Sequence, residues 1–345
     1  MRFINNIIHI IRKLDKVTEG GIARDRAFYN YLHDKDNVKS IIFARKNPFH
    51  IIYLLWILYF FKDKIFLLHQ SSIFVPFSDA HFIGKIGRKI YIRLLKKVIK
   101  KNQIIFEIND LPIEQAKDLE LEVPYYFKEI EEAMFNLKDA QYIFASYSMR
   151  DYIVNKYNVP FDNTFVCING GIKKNQSSRR KQLDILKDEK IKFVYAGTLN
   201  KGRQIEDMID IFRGIETVNL ILLGKNGEWI ENKEQAENIM YLGELEENEA
   251  QQVVSQCDIG VIPYDASRLY YNIAFPTKEI RNFMRSYKNI GIIKGISEWK
   301  KIIADLKRCE IELMKEEVEK IKEDFYWETI INNLFIEIKC NLSDY

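Results

Sequence analysis

The clearest chemistry in this chain lies in a basic turn punctuated by glycine, Phe193-Val-Tyr-Ala-Gly-Thr-Leu-Asn-Lys-Gly-Arg203. A short apolar strand breaks at Gly197 into a turn carrying Thr198, Lys201 and Arg203. An amphipathic helix follows, with Ile205, Met208, Ile209 and Phe212 spaced to bury one face. The open amides at that helix's start and the two cationic side chains suit an anion, phosphate above all. Taken alone, the turn reads equally as a plain strand-to-helix connection with Lys201 and Arg203 in solvent. A second segment shifts the balance. Asp258-Ile-Gly-Val-Ile-Pro-Tyr-Asp265 reads as a buried strand and loop, and Tyr270-Tyr-Asn-Ile-Ala-Phe-Pro-Thr-Lys-Glu279 opens the next helix. Pro276 suits a helix's first turn, and Lys278 falls where free amides favour a diphosphate. The alternative for Lys278 is a solvated helix lysine. Both basic turns occupy corresponding ends of one predicted sheet.

The elements that must hold these residues alternate. Strands are predicted at Ile4–Ile11, Val38–Phe43, Ile65–Leu68, Gln103–Ile108, Gln141–Ala145 and Thr164–Ile168, with helices between them. That alternation predicts a parallel sheet covered on both faces. A polar, basic stretch over 173–190 reads as a linker. The pattern then restarts, with strands at Ile191–Ala196, Val218–Leu223, Ile239–Leu242, Asp258–Pro263 and Ile290–Ile293 and helices at Ile205–Ile215 and Glu246–Gln256. The expected fold class is α/β, with two Rossmann-like, doubly wound domains facing a cleft. Residues 1–172 form the amino-terminal Rossmann-like domain and 191–320 the carboxyl-terminal one. Residues 321–345 supply a terminal helix packing back on the amino domain. Ligands belong at the carboxyl ends of the strands and in the cleft.

Composition restricts the function classes. The 345 residues are 47% hydrophobic and 29% charged, the balance of a folded chain rather than a disordered one. A net charge of +3 does not argue for nucleic acid. Cys167, Cys257, Cys309 and Cys340 match no metal or redox spacing and fit a reducing cytoplasm. The start, Met-Arg-Phe-Ile-Asn-Asn-Ile-Ile-His-Ile-Ile, reads as a first strand rather than a signal peptide. The most apolar stretch, Phe49 to Phe61, is too short for a spanning helix of about 20 residues.

Several segments, in order and spacing, together resemble the GT-B fold glycosyltransferases, in particular the family-four-like enzymes that build bacterial polysaccharides from nucleotide sugars. Glu19-Gly20-Gly21-Ile-Ala-Arg24 is similar to their first glycine-rich loop, and Ile108-Asn-Asp-Leu-Pro112 to the segment where many carry a His-Asp pair. Ala145-Ser146-Tyr-Ser148 resembles their acceptor-domain serine motif, and Asn169-Gly-Gly171 their domain-closing turn. Tyr195 to Arg203 is similar to their phosphate turn, and Pro276-Thr-Lys278 to their Pro-x-Lys motif. The resemblance implies a nucleotide-sugar donor, expected as a UDP-sugar, in the carboxyl-terminal domain 191–320, and a glycan or lipid-linked acceptor in the amino-terminal, acceptor-binding domain 1–172. Lys201, Arg203 and Lys278 would contact the diphosphate, and Tyr241-Leu-Gly243 would pass beside the base. Thr198 stands where the family carries arginine, and Arg281 where it carries the ribose glutamate, leaving Asn282 or Glu279 to hold the ribose.

Sugar transfer builds negative charge on the departing diphosphate, which these cations can stabilise without a metal; no Asp-x-Asp triplet is present to ligate one. No cofactor is expected. Inversion would require a general base, with Asp110 first and then Glu107 or Glu19; under retention, which the resemblance favours, Asp110 positions sugar or acceptor. His69 and His81 either approach the cleft or are hydrogen-bonded structural histidines. The rival readings are a sugar-nucleotide epimerase of the same fold and a catalytically inactive partner subunit.

Between Lys85 and Lys101 stand eight basic residues and no acidic one, with Ile83, Ile86, Ile90, Leu94 and Val98 at helical spacing. This predicts an amphipathic helix packed through its apolar face, with a cationic outer face suited to anionic lipid. It implies a cytoplasmic protein held peripherally on the inner membrane face. Phe49–Phe61 reads as a buried helix, or as one that dips in part into the interface. No nucleic-acid motif accompanies the basic patch, and no nucleic-acid partner is expected.

Overall fold

A computed structural model of the chain describes residues 6–14, 20–33, 35, 38–43, 48–74, 76–79, 82–171, 173, 187–199, 203–231, 236–265, 267–274 and 298–343. Within these residues the amino half runs β1 (Ile7–Arg12), α1 (Gly20–His33), β2 (Lys39–Phe43), α2 (Pro48–Phe60), β3 (Ile65–His69), α3 (Gln70–Phe74) and α4 (Phe82–Val98). It continues with β4 (Gln103–Ile108), α5 (Pro112–Asp118), α6 (Tyr125–Phe135), β5 (Gln141–Phe144), α7 (Tyr147–Tyr157) and β6 (Thr164–Val166). These six strands form one parallel sheet in the order β2-β1-β3-β4-β5-β6. The strands are apolar runs because both sheet faces are covered. One face carries Ile10, Phe66, Leu68, Phe106 and Phe144 against α2, α4 and α6. The other carries Ile7, Leu67, Ile105 and Ile143 against α1 and the final helix Trp327–Ser343.

The carboxyl half runs β7 (Ile191–Ala196), α8 (Ile205–Arg213), β8 (Val218–Leu223), α9 (Glu228–Glu231), β9 (Ile239–Tyr241), α10 (Glu247–Val254), β10 (Ile259–Gly260) and α11 (Leu269–Ala274). Its described strands form a second parallel sheet, β10-β7-β8-β9. Ile205, Met208, Ile209 and Phe212 of α8 are all buried on it, as their spacing requires. The strand predicted at Asp258–Pro263 is only two residues long, and the one at Ile290–Ile293 lies outside the described residues. The terminal helix expected over 321–345 spans Trp327–Ser343 and packs on the amino sheet. Helix Arg308–Ile321 gives way to a 3-10 turn at Lys322–Phe325 before Trp327–Ser343 begins. Gly171 and Tyr326 form a β-bridge there, with Gly171 N–H donating to Phe325 O at 2.8 Å and Trp327 N–H to Gly171 O at 3.0 Å. No helix among the described residues is long and apolar enough to cross a membrane.

Candidate active site

Both sheets reverse their strand order once, the amino sheet between β1 and β3 and the carboxyl sheet between β7 and β10. Ligand crevices in doubly wound sheets open beyond the carboxyl ends of strands at such points. The residues at those ends are Arg12, His69, Asp110 and Ser146 in the amino half, and Gly197 and Tyr264 in the carboxyl half.

Helix α11 joins the two halves. It follows the carboxyl sheet, yet it packs on α5 and α7 of the amino half. The Tyr270 hydroxyl donates to Asp110 Oδ1 at 2.5 Å and accepts from Gln115 Nε2 at 3.2 Å, while Tyr270 N–H donates to Asp118 Oδ2 at 2.6 Å. Arg268 Nη1 donates to the Asp118 carbonyl. Asp110 Oδ1 also accepts from Leu111 N–H at 2.9 Å, and Asp110 N–H donates to Gln70 Oε1 at 3.2 Å. Burial pushes the Asp110 carboxyl above its usual range, against the hydrogen bonds from Tyr270 and Leu111 and the charge of Arg203. Arg203, far along the chain, therefore lies close enough to act on Asp110. Ser146 is fully buried: its hydroxyl caps α7 by accepting from Met149 N–H at 3.0 Å and donates to Ile273 O of α11 at 2.6 Å. Its partners are backbone groups of α7 and α11.

Behind Asp110 lies a closed charge network. Asp25 Oδ2 accepts from Arg12 Nε at 2.7 Å, and Glu107 Oε1 from Arg24 Nε at 2.5 Å. His69 Nδ1 sits between the two acids, 2.9 Å from Asp25 Oδ1 and 3.2 Å from Glu107 Oε2. Its Nε2 is 2.9 Å from His9 Nε2, and His9 Nδ1 is 3.3 Å from Ser40 Oγ. Burial alone would lower the His69 pKa, but the two carboxylates overcome it and raise it to about 9. Burial and the neighbouring His69 charge push His9 well below its ordinary value. The pair is therefore an imidazolium donating from Nε2 to a neutral imidazole. Burial would raise Asp25 and Glu107; His69 with Arg12 and with Arg24 hold both below the usual carboxylate range. Asp25, His69 and Glu107 bring their ligating atoms within 4.8 Å of one another, but each carboxylate is already paired with an arginine. Glu107, expected on a loop at the cleft, lies wholly inside this layer, and of the two readings of His69 the structure has the buried, hydrogen-bonded one. Arg24 continues the network to the closing turn, with Nη1 donating to Cys167 O at 2.6 Å and Asn169 Oδ1 at 3.2 Å. Gly20 and Gly21 open α1 beside it. A Cβ on Gly21 would come within 3.2 Å of Asn109 Nδ2 and 3.3 Å of an Arg12 nitrogen.

On the carboxyl side Arg203 is half-buried. Its guanidinium lies 5.6 Å from the ring centroid of Tyr264 and 5.9 Å from that of Tyr271, and its Nε is enclosed without a hydrogen-bond partner among the described residues. The Tyr195 hydroxyl donates to Thr198 O at 3.0 Å, tightening the turn at Gly197. That turn needs a glycine opposite it. Gly224, at φ 137°, comes so close that a Cβ there would lie 1.8 Å from Gly197 O. Gly224 N–H donates to Gly243 O, itself at φ 72°, and Tyr241 O–H donates to Gly224 O, both at 2.9 Å. Gly197, Thr198, Tyr241 and Gly243 are thus brought together at the carboxyl edge of β7, β8 and β9. Glu19, His81, Lys201, Lys278, Glu279 and Asn282 lie outside the described residues.

The sequence reading did not single out Arg12, Asp25, Tyr264 or Tyr271. Asp25 directly follows the Glu19–Arg24 loop, and the tyrosines stand in the segments Asp258–Asp265 and Tyr270–Glu279, with no local pattern that pairs them with Arg203.

No protein-family model matches the chain, and neither does any curated protein. Solved structures do match. Sucrose-phosphate synthase from Thermosynechococcus elongatus is 12% identical with a TM-score of 0.67, covering 99% of this chain and 100% of that one. HepE from Anabaena, in complex with UDP-glucose, is 10% identical with a TM-score of 0.62, covering 96% and 99%. An α-glucosyltransferase in complex with UDP and a 13-mer DNA is 10% identical with a TM-score of 0.55, again covering 96% and 99%. Similarity over nearly full lengths at such identity is similarity of fold. The chain has the GT-B architecture.

Proposed function

We propose that this chain is a glycosyltransferase. It moves a sugar from a nucleoside diphosphate donor, a UDP-sugar, to a glycan or lipid-linked acceptor in bacterial surface polysaccharide synthesis. It works without a metal, with retention at the anomeric carbon, on the inner face of the cytoplasmic membrane. The observation that carries the reading is Arg203, whose enclosed Nε, without a hydrogen-bond partner among the described residues, sits at the carboxyl switch point beside the Gly197 turn and within electrostatic reach of Asp110. An arginine held between tyrosine rings keeps its fork geometry and meets a diphosphate with charged hydrogen bonds that strengthen as the leaving group gains charge. Asp110, held by Tyr270, faces the same region from the amino half and orients the sugar or the acceptor hydroxyl. Support for the donor class comes from HepE and the α-glucosyltransferase, whose structures contain UDP-glucose and UDP.

UDP added to the protein should raise its melting temperature, and Arg203→Ala should weaken UDP binding by roughly 1.5–3 kcal/mol, the worth of a charged hydrogen bond. A thermal melt reads the first and calorimetric titration the second. No binding by the parent, or equal affinity in the variant, refutes the donor site. Slow release of free sugar from a UDP-sugar by the parent protein then separates an enzyme from a binding module.

A further inference from the structure

The amino half carries a surface that sugar transfer itself does not require. Helix α2 buries Ile51, Leu54, Ile57 and Leu58 and turns Phe49, Ile52, Tyr53, Trp56, Tyr59 and Phe60 outward. The exposures are large, 74% for Phe49, 62% for Tyr59, 58% for Phe60 and 48% for Trp56. Those positions recur at three- and four-residue spacing, so they form one face opposite the buried one. At their base these rings touch the core, with Tyr53 6.5 Å from the buried Phe43 ring and Trp56 6.0 Å from Phe61, and outward they lean on one another. Tyr53 and Trp56 stack at 6.1 Å between centroids, and Trp56 and Phe60 lie 5.5 Å apart. Single exposed apolar residues are ordinary, whereas a contiguous aromatic face marks a binding surface.

Helix α4 lies alongside. The two helices meet at Gly87, where a Cβ would come within 2.6 Å of Ile51 Cγ2. Helix α4 buries Gly84, Gly87, Arg88, Tyr91, Leu95 and Val98. Its exposed face is divided, with Phe82, Ile83, Ile86 and Ile90 exposed as an apolar strip and Lys85, Lys89, Arg93, Lys96 and Lys97 as a cationic one. On a helical wheel the isoleucines lie between the lysines and the Gly87 side that meets α2. Neither helix contains an acidic residue. Arg88, the basic residue that is buried, is committed to Asp79 and Glu129.

We infer that α2 and α4 together form a monotopic docking surface for an anionic bilayer, with the aromatic face of α2 seated among the acyl chains and the lysines of α4 on the headgroups. Charge and chemistry select this occupant. Aromatic side chains with one wet edge favour the headgroup boundary, and a flanking lysine strip without acids is complementary to anionic lipid. The inference deepens the membrane part of the proposed function, because it makes binding depend on apolar insertion by α2 as well as on the lysines. It also fixes which side of the amino half faces lipid. It stands independently of the UDP site.

The test is co-sedimentation of the full chain with vesicles of phosphatidylglycerol and phosphatidylcholine in a one-to-two ratio, beside vesicles of phosphatidylcholine alone. Binding to the anionic vesicles is expected. It should fall by roughly tenfold or more in Trp56→Ser/Tyr59→Ser/Phe60→Ser, which removes buried apolar area. It should fall by roughly a thousandfold in Lys85→Ser/Lys89→Ser/Lys96→Ser/Lys97→Ser. All seven side chains are exposed, so UDP-dependent stabilisation should persist in both variants and report that each is folded. Loss of vesicle binding with UDP stabilisation intact separates this surface from the donor site. Absence of binding to anionic vesicles overturns the inference, as does aromatic-variant affinity equal to the parent's. Sedimentation of the lipid-free parent as a dimer that the aromatic substitutions dissolve also overturns it, since the face would then belong to a second copy.

Discussion

Asp110 and Tyr270 are 160 positions apart and share a hydrogen bond of 2.5 Å. Such a bond favours the ionised carboxylate, yet burial still holds Asp110 above its usual range. Tyr270 thus restrains a shift that the site's low polarity drives, and it ties the acid to a helix of the opposite half. Tyr270→Phe removes the donor and leaves the ring. The Asp110 pKa should then rise further, and the acid limb of the pH profile for transfer or donor hydrolysis should move to higher pH. The loss to stability should be about 1.5–3 kcal/mol, the worth of a hydrogen bond to a charged group. An acid limb that stays in place would mean that ionised Asp110 does not limit the reaction. Arg203 and its tyrosines belong to the same scale. Their spacing along the chain carries no sign that Tyr264 and Tyr271 flank one guanidinium, because the loop and α11 fold them together.

Among the elements, the strand ends around Gly197 leave little room for change. Gly224→Ala combines a backbone angle that side chains avoid with a Cβ placed 1.8 Å from Gly197 O, so the β7 and β8 ends must part. A loss of about 2–5 kcal/mol follows from strain plus overpacking. Gly243→Ala shares a positive φ but meets nothing within 4 Å, and should cost only about 1–2 kcal/mol. Urea midpoints of the two variants compare them directly, and equal losses would rule out the contact as the cause. The strands themselves were legible in the sequence. Ile65, Ile191 and Val218 begin strands where apolar runs begin, because a sheet buried on both faces leaves that mark. Helix α8 was legible for the same reason of period. The joining role of α11 was not, since its contacts with Asp110, Asp118 and Ser146 are set by tertiary folding and leave no local pattern. The terminal helix starts a few residues later than its spacing suggests, because the bridge from Gly171 to Tyr326 interrupts helical structure at Lys322–Phe325.

At the scale of the molecule, the amino half places paired charges at the centre of its own fold, where the sheet, α1 and the closing turn meet. Buried ion pairs of this kind add little net stability, yet removing one partner is costly. The two histidines make that layer sensitive to pH in opposite directions. His69 has a folded pKa of about 9 against roughly 6.5 in an unfolded chain. Its contribution is fully present below about 6.5 and is lost as pH rises toward 9, a change on the order of 3 kcal/mol. His9 is depressed by burial and by His69, so the folded state resists its protonation and stability falls as pH drops below about 6.5. Asp25 and Glu107, both held low, lose their stabilising charge only in stronger acid. Thermal melts across pH 5 to 9 should therefore peak near about 6.5 and decline on both sides. Because the two rings share a proton-bearing contact, their titrations are coupled and belong to the pair. His69→Gln, which keeps polarity but cannot take a proton, should lower stability at the peak and flatten the alkaline decline. His9→Gln should flatten the acid side instead. An alkaline slope unchanged in His69→Gln would show that another group sets it, and that the Asp25–His69–Glu107 cluster holds a neutral ring.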